Sequence, residues 1–179
     1  MNAPQALFQP ERLEGKPEDR VSQHGVLPWR MTRKSGLRIL LVSPVDGEDW
    51  KIPAGVPVEG RAPFLSAALH AFQEAGIIGE IDTAPLGNHR SGKVDREDSQ
   101  DRFMRVFAMK VRGTLSHWKR QDQYQRRWFS AHEAAAVVQD AGLAAMIRRF
   151  AEDATAPEEN GTARGTRNAA TEQASPAAL

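Results

Sequence analysis

Residues 50–78 read WKIPAGVPVEGRAPFLSAALHAFQEAGII, and the order of signals in that stretch decides the fold. Trp50-Lys51-Ile52-Pro53 is a short extended piece that ends at a proline, and Ala54 to Gly60 is a loop punctuated by glycine. Pro63 suits the first turn of a helix, where its missing N–H removes no hydrogen bond, and Phe64 to Glu74 is rich in alanine and leucine. Gly76 supplies the stop, because glycine enters the left-handed conformation that closes a helix at little steric cost. Ile77 to Ile81 then reads as a strand.

Upstream, His24 to Arg30 is the first strand candidate, and a Ser35-Gly36 turn leads into Leu37-Arg38-Ile39-Leu40-Leu41-Val42. That second run is nearly continuous in aliphatic residues, the pattern of a buried strand. Downstream, Gly87 to Gln100 is polar and contains glycine, so an exposed loop is expected there. Phe103 to Val111 follows as a half-buried strand in which apolar residues partly alternate with basic ones. Ser130, preceded by Arg127-Trp128-Phe129, is a good N-cap with Glu133 three residues on, which predicts a capping box and a helix through Val138. Asp140-Ala141-Gly142 breaks that helix, and Leu143 to Phe150 makes a last short one with Leu143, Met146, Ile147 and Phe150 at core spacing.

The sum is an α+β domain over residues 24–150 with helices packed on a strand-rich centre. Residues 1–23 carry Pro4, Pro10 and Pro17 without useful periodicity and are expected to be a flexible arm. Residues 151–179 hold no aromatic and no β-branched aliphatic side chain. They cannot bury enough apolar surface to offset their ordering entropy, and a disordered tail is expected.

Composition narrows the function classes. There is no cysteine, which excludes disulfides, thiolate zinc sites and cysteine nucleophiles. Any metal must be held by oxygen or imidazole. No apolar run approaches the roughly 18 residues that span a bilayer, and Glu11, Glu14, Glu18 and Asp19 interrupt the first thirty residues. A cytoplasmic protein with no membrane partner is expected. A net charge of +1 argues against a general nucleic-acid binder. Basic residues nevertheless concentrate between Arg30 and Arg127, with acids prominent in both flanks.

With Gly55 as its first residue, the loop-helix segment resembles the box of the Nudix hydrolases: glycine, five residues, glutamate, seven residues, then Arg-Glu-aliphatic-any-Glu-Glu-any-Gly-aliphatic. Gly76 and Ile77 fall in the closing positions with no insertion. The flanks Gly25-Val26-Leu27-Pro28-Trp29-Arg30, Leu40-Leu41-Val42-Ser43, Trp50-Lys51-Ile52-Pro53, Arg105-Val106-Phe107 and Arg127-Trp128-Phe129-Ser130 are similar to bacterial relatives of the diphosphoinositol polyphosphate phosphohydrolases. The resemblance implies the Nudix fold, a mixed β-sheet sandwiched by helices. It implies hydrolysis of diphosphate linkages in a phosphate-rich small molecule, of the diphosphoinositol polyphosphate or dinucleoside polyphosphate type, with magnesium or manganese as cofactor.

Such chemistry needs hard cations held by clustered carboxylates, and a helix brings residues i, i+3 and i+4 to one face. Here those positions are His70, Gln73 and Glu74, and only Glu74 is a carboxylate. Arg61 replaces the earlier box glutamate, Leu69 its arginine partner, and Ala54 a lysine of close relatives. The resemblance therefore makes Glu74, His70 and Gln73 the catalytic positions and Glu74 with Gly55 the metal positions, while the substitutions predict a weakened or lost hydrolase. A partial rescue would pair His70 with Glu74 on zinc or manganese, aided by Glu59, a carbonyl near Gly55, or Asp95, Glu97, Asp98 or Asp122. The plainer alternative makes His70 a partly exposed helix residue bonded to water or to Glu74.

Arg30, matched to an arginine that relatives use near the ligand, joins Arg90, Arg105 and Lys110 as candidate phosphate contacts, since guanidinium groups grip phosphate bidentately. Trp29, Trp50 and Trp128 are expected to pack in the core or a pocket wall, whereas Trp118 is either an exposed stacking surface or a loop anchor. His117 and His132 lack the spacing of a nucleophile–base pair. Three classes stay open: a divergent hydrolase, a non-catalytic sensor of a polyphosphate, and a protein-interaction module.

Overall fold

Strands that are apolar on both sides belong in the middle of a sheet covered on both faces, and that is where the aliphatic run around Leu40 lies. The computed structural model describes residues 21–90 and 103–156. Over them run β1 (Val21–Thr32), β2 (Gly36–Pro44), β3 (Ala54–Gly55), α1 (Pro63–Ala75), β4 (Ile77–Ile81), β5 (Gly87–Arg90), β6 (Phe103–Thr114), β7 (Tyr124–Ser130), α2 (Ala131–Val137) and α3 (Ala141–Thr155).

The sheet is mixed and ordered β4-β6-β1-β2-β7. β1 lies parallel to β6, with His24 beside Arg105 and Trp29 beside Lys110. Its other edge is shared: the first half pairs with β3, His24 facing Gly55, and the second half makes the antiparallel hairpin with β2. β6 is shared likewise, with β5 along its start and β4 along its end. β7 closes the sheet on β2, Leu40 opposite Trp128 and Val42 opposite Arg126.

Because successive strand residues point to opposite faces, each aliphatic run feeds two cores. Leu27, Ile39, Leu41, Val106 and Phe129 meet Ala134, Leu143 and Ile147 on the α2–α3 face. Val26, Leu40, Val42, Phe107 and Met109 meet Ala67, Ala71 and Ala75 of α1 on the other. Small residues on α1 let the helix lie close to the sheet.

The capping box forms as expected, with Ser130 Oγ accepting from Glu133 N and the Glu133 carboxylate accepting from Ser130 N. Elsewhere the elements run longer than their sequence signals. Asp140 caps α3, its Oδ1 accepting from Gly142 N and Leu143 N, so the break before Leu143 is also a start. α3 continues past Phe150 to Thr155, with Ala151 and Ala154 packed on the α2–α3 core. Gly87 to Arg90, expected as loop, is strand β5, and Ala54–Gly55 pairs with β1. Residues 91–102, with Asp95, Glu97 and Asp98, lie outside the described residues, as do 1–20 and 157–179. Among the described residues no helix is long and apolar enough to cross a membrane.

Candidate functional site

The last turn of a helix leaves its carbonyls without intrahelical donors, and in α1 every one of them finds a partner. Gly76 closes the helix in the left-handed conformation, φ 57° and ψ 39°, its N–H bonded to Phe72 O. The connection between β6 and β7 supplies the rest. Arg120 N donates to Gln73 O at 3.2 Å, Trp118 Nε1 to Glu74 O at 3.0 Å, and Leu115 N to Gly76 O at 2.7 Å. Arg126 Nη1 donates to the carbonyls of Ala75 and Gly76, and its guanidinium lies 4.1 Å from the Trp118 ring centre. Trp118 is thus a half-buried loop anchor, the second of its two expected roles. A Cβ on Gly76 would fall 2.7 Å from that of Trp118, so this glycine is required by space as well as by φ.

The same connection reaches the box carboxylate. Glu74 is 5% exposed. Its Oε1 accepts from Arg120 Nη1 at 2.9 Å and its Oε2 from Ala54 N at 3.3 Å, so both oxygens are engaged by the chain itself. Burial pushes its pKa up, against the Ala54 N–H and the nearby charges of Arg120 and Lys51. Tyr124 carries both cations, Arg120 at 5.1 Å and Lys51 at 5.4 Å from its ring centre.

His70 faces the loop. Its Nε2 donates to Val56 O at 2.8 Å, and its imidazole lies against Gly55 where a Cβ would collide with the ring. Across the β1–β3 pair from Gly55 stands His24, 7% exposed and edge-on to Phe107. His24 Nδ1 has no hydrogen-bond partner among the described residues. Burial first, then the charge of Arg105 and of His70, lowers its pKa below the ordinary histidine value of 6.5 and keeps the ring neutral at pH 7.

Glu74, His70 and Gly55 are therefore brought together as the sequence expects, while Gln73 takes part through its backbone carbonyl. The four basic candidates are not brought together. Arg105 lies beside His24, its Nε donating to Asn88 Oδ1 at 3.3 Å. Arg30 stacks on Trp128, 4.0 Å from the ring centre, roughly 20 Å farther along β1 at the usual rise per residue. Lys110 projects to the opposite face, over Trp29. Arg90 ends β5 opposite Phe103. Sequence reasoning missed His24, Lys51, Arg120 and Tyr124. Only the alternation of β1, which puts His24 on the face of Val26, could have marked one of them.

No protein-family model matches the sequence. The chain is similar to Nudix hydrolase 13, mitochondrial, of Arabidopsis thaliana, 24% identical over 157 residues that cover 76% of this chain and 78% of the relative. It is similar to Nudix hydrolase 12, mitochondrial, of the same plant, 29% identical over 102 residues, 55% of this chain and 50% of the relative. In fold it is similar to the Nudix domain of Shewanella oneidensis NrtR solved with ADP-ribose, with a TM-score of 0.58 at 11% identity, covering 79% of this chain and 95% of that one. The chain is thus similar in sequence to Nudix hydrolases and shares the fold of a Nudix domain.

Nudix hydrolases generally use divalent metals, so the fit of such an ion to these residues can be tested directly. It fails. Glu74 brings a single negative charge, already neutralised by a guanidinium 2.9 Å away that would repel a divalent ion. His70 Nε2 is committed to Val56 O, and Gln73 brings no charge. Among the described residues no three His, Asp or Glu side chains stand close enough together to hold an ion, and the proposed helpers Glu59 and Asp122 are exposed.

Proposed function

We propose that this Nudix-fold protein has weak or lost metal-dependent hydrolysis of diphosphate linkages and still receives a phosphate-rich small molecule of the diphosphoinositol polyphosphate or dinucleoside polyphosphate type. The observation that carries the reading is the Glu74–Arg120 pair. A carboxylate that must hold a metal and help activate water cannot also spend its oxygens on an internal guanidinium and a backbone N–H. Loss of metal polarisation removes several kcal/mol of transition-state stabilisation, on top of about 10²- to 10⁴-fold for a missing general base. Arg61 and Leu69 fit the same reading, since replacing both members of an ion pair strands no buried charge.

The test is phosphate release from diphosphoinositol polyphosphates, dinucleoside polyphosphates and nucleotide sugars with magnesium or manganese. Turnover at background is expected. Turnover at the level of active Nudix hydrolases that disappears in Glu74→Gln would overturn the proposal. Binding without cleavage is favoured over a pure interaction module by Arg105 and by His24 Nδ1, which has no partner among the described residues; both lie on the α1 side of the sheet. A cytoplasmic location belongs to this reading, and cell fractionation separates it from the mitochondrial one for which the plant relatives are named.

A further inference from the structure

The misfit with a divalent ion has a constructive side. In a metal-dependent phosphate site the carboxylates are anionic and the ions supply the positive charge that phosphate needs. Here the signs are exchanged. Around the single carboxylate of Glu74 stand Arg120, in contact with it, and Lys51, held with Arg120 on the ring of Tyr124. Arg105 follows by way of His24, Gly55 and His70, each of which touches or pairs with the next. We infer that this site binds a phosphate-type oxyanion directly on Lys51, Arg105 and Arg120, with no divalent metal between protein and ligand.

Three observations support it independently of one another. Among the described residues, Arg120 and Lys51 face the one carboxylate of Glu74 and Arg105 stands beside His24, so the formal charge favours an anion. Arg105 carries five guanidinium donors, and the bond to Asn88 uses one of them. His24, more than nine-tenths buried, presents Nδ1 with no partner among the described residues, and a buried polar atom without one costs free energy that an arriving hydrogen-bonding group recovers. Two sources share this chemistry, an inositol polyphosphate and a nucleotide diphosphate.

The inference rests on the phosphate-ligand reading above, and the experiment separates the two. The full chain is titrated calorimetrically with inorganic pyrophosphate, inositol hexakisphosphate and ADP-ribose, once in excess EDTA and once in excess magnesium. Binding in EDTA at an affinity that magnesium does not raise is expected, and the better organic ligand identifies the source. Lys51 is exposed, so Lys51→Glu keeps the thermal unfolding profile and weakens binding at least about tenfold, as loss of one charge-assisted contact does. Arg105→Gln weakens it similarly. Binding that requires magnesium, or that both variants retain at full strength, overturns this inference and leaves the phosphate-ligand reading standing. No binding of any probe under either condition overturns both.

Discussion

The two faces of the sheet are built from different materials. On the α2–α3 side, Leu27, Ile39, Leu41, Val106 and Ile147 are shielded from water and bring no charge with them. On the α1 side the apolar layer is as tight beneath the helix, yet it is bordered by Glu74, His24, Arg105, Arg120 and Arg126, each half-buried or deeper. Hydrophobic burial dominates the first face, to which the His89–Asp140 pair at the start of α3 adds a polar contact, and the second face relies more on ionic and hydrogen-bonded contacts that matter only if every partner is present. A site can change its chemistry on the second face while the first keeps the fold.

The sharpest way to break this contrast is Ile147→Ala. The side chain is wholly buried, and its truncation is expected to cost about 3 kcal/mol, read as a lower urea midpoint with an unchanged slope. Pyrophosphate affinity of the folded fraction should not move. Arg120→Ala should cost about 2 kcal/mol, less than a fully buried pair because Arg120 is 38% exposed, and adding Glu74→Gln should restore most of the loss. Full additivity of the two substitutions would show that the pair is not the source of the effect.

Smaller effects follow from titration and from the rim. Folding raises the Glu74 pKa, so the folded state holds that proton more firmly than the unfolded chain does. The stability this contributes is complete below the unfolded value of 4.5 and declines as the pH rises through the folded value. Denaturation measured across that range should fall more steeply for the native protein than for Glu74→Gln; identical slopes would refute the burial argument. Arg112→Ala at the sheet edge breaks an exposed pair with Glu80 and should cost under about 0.5 kcal/mol.

How much of this was legible beforehand divides along sequence distance. Pro63, Gly76 and the Ser130–Glu133 box act within a few residues, and α1 and the start of α2 came out where they point. Glu74, His70 and Gly55 could be grouped because one helix and its preceding loop bring them together. Arg120 could not, because its contact with Glu74 spans 46 positions and depends on how the β6–β7 connection folds back over α1. Lys110 misled for a related reason. Placing it with Arg105 ignored that residues five apart in a strand point to opposite faces. Gly87 to Arg90 carries no β-forming pattern of its own, and strand β5 exists because the start of β6 offers it an edge.

The central position of β1 has a consequence for how the chain comes into being. Its long parallel neighbour is β6, which leaves the ribosome only after both hairpin partners and the whole of α1. Until then one edge of β1 is open beside an aliphatic surface, so the nascent protein passes through a stage suited to chaperone capture before its last strands emerge.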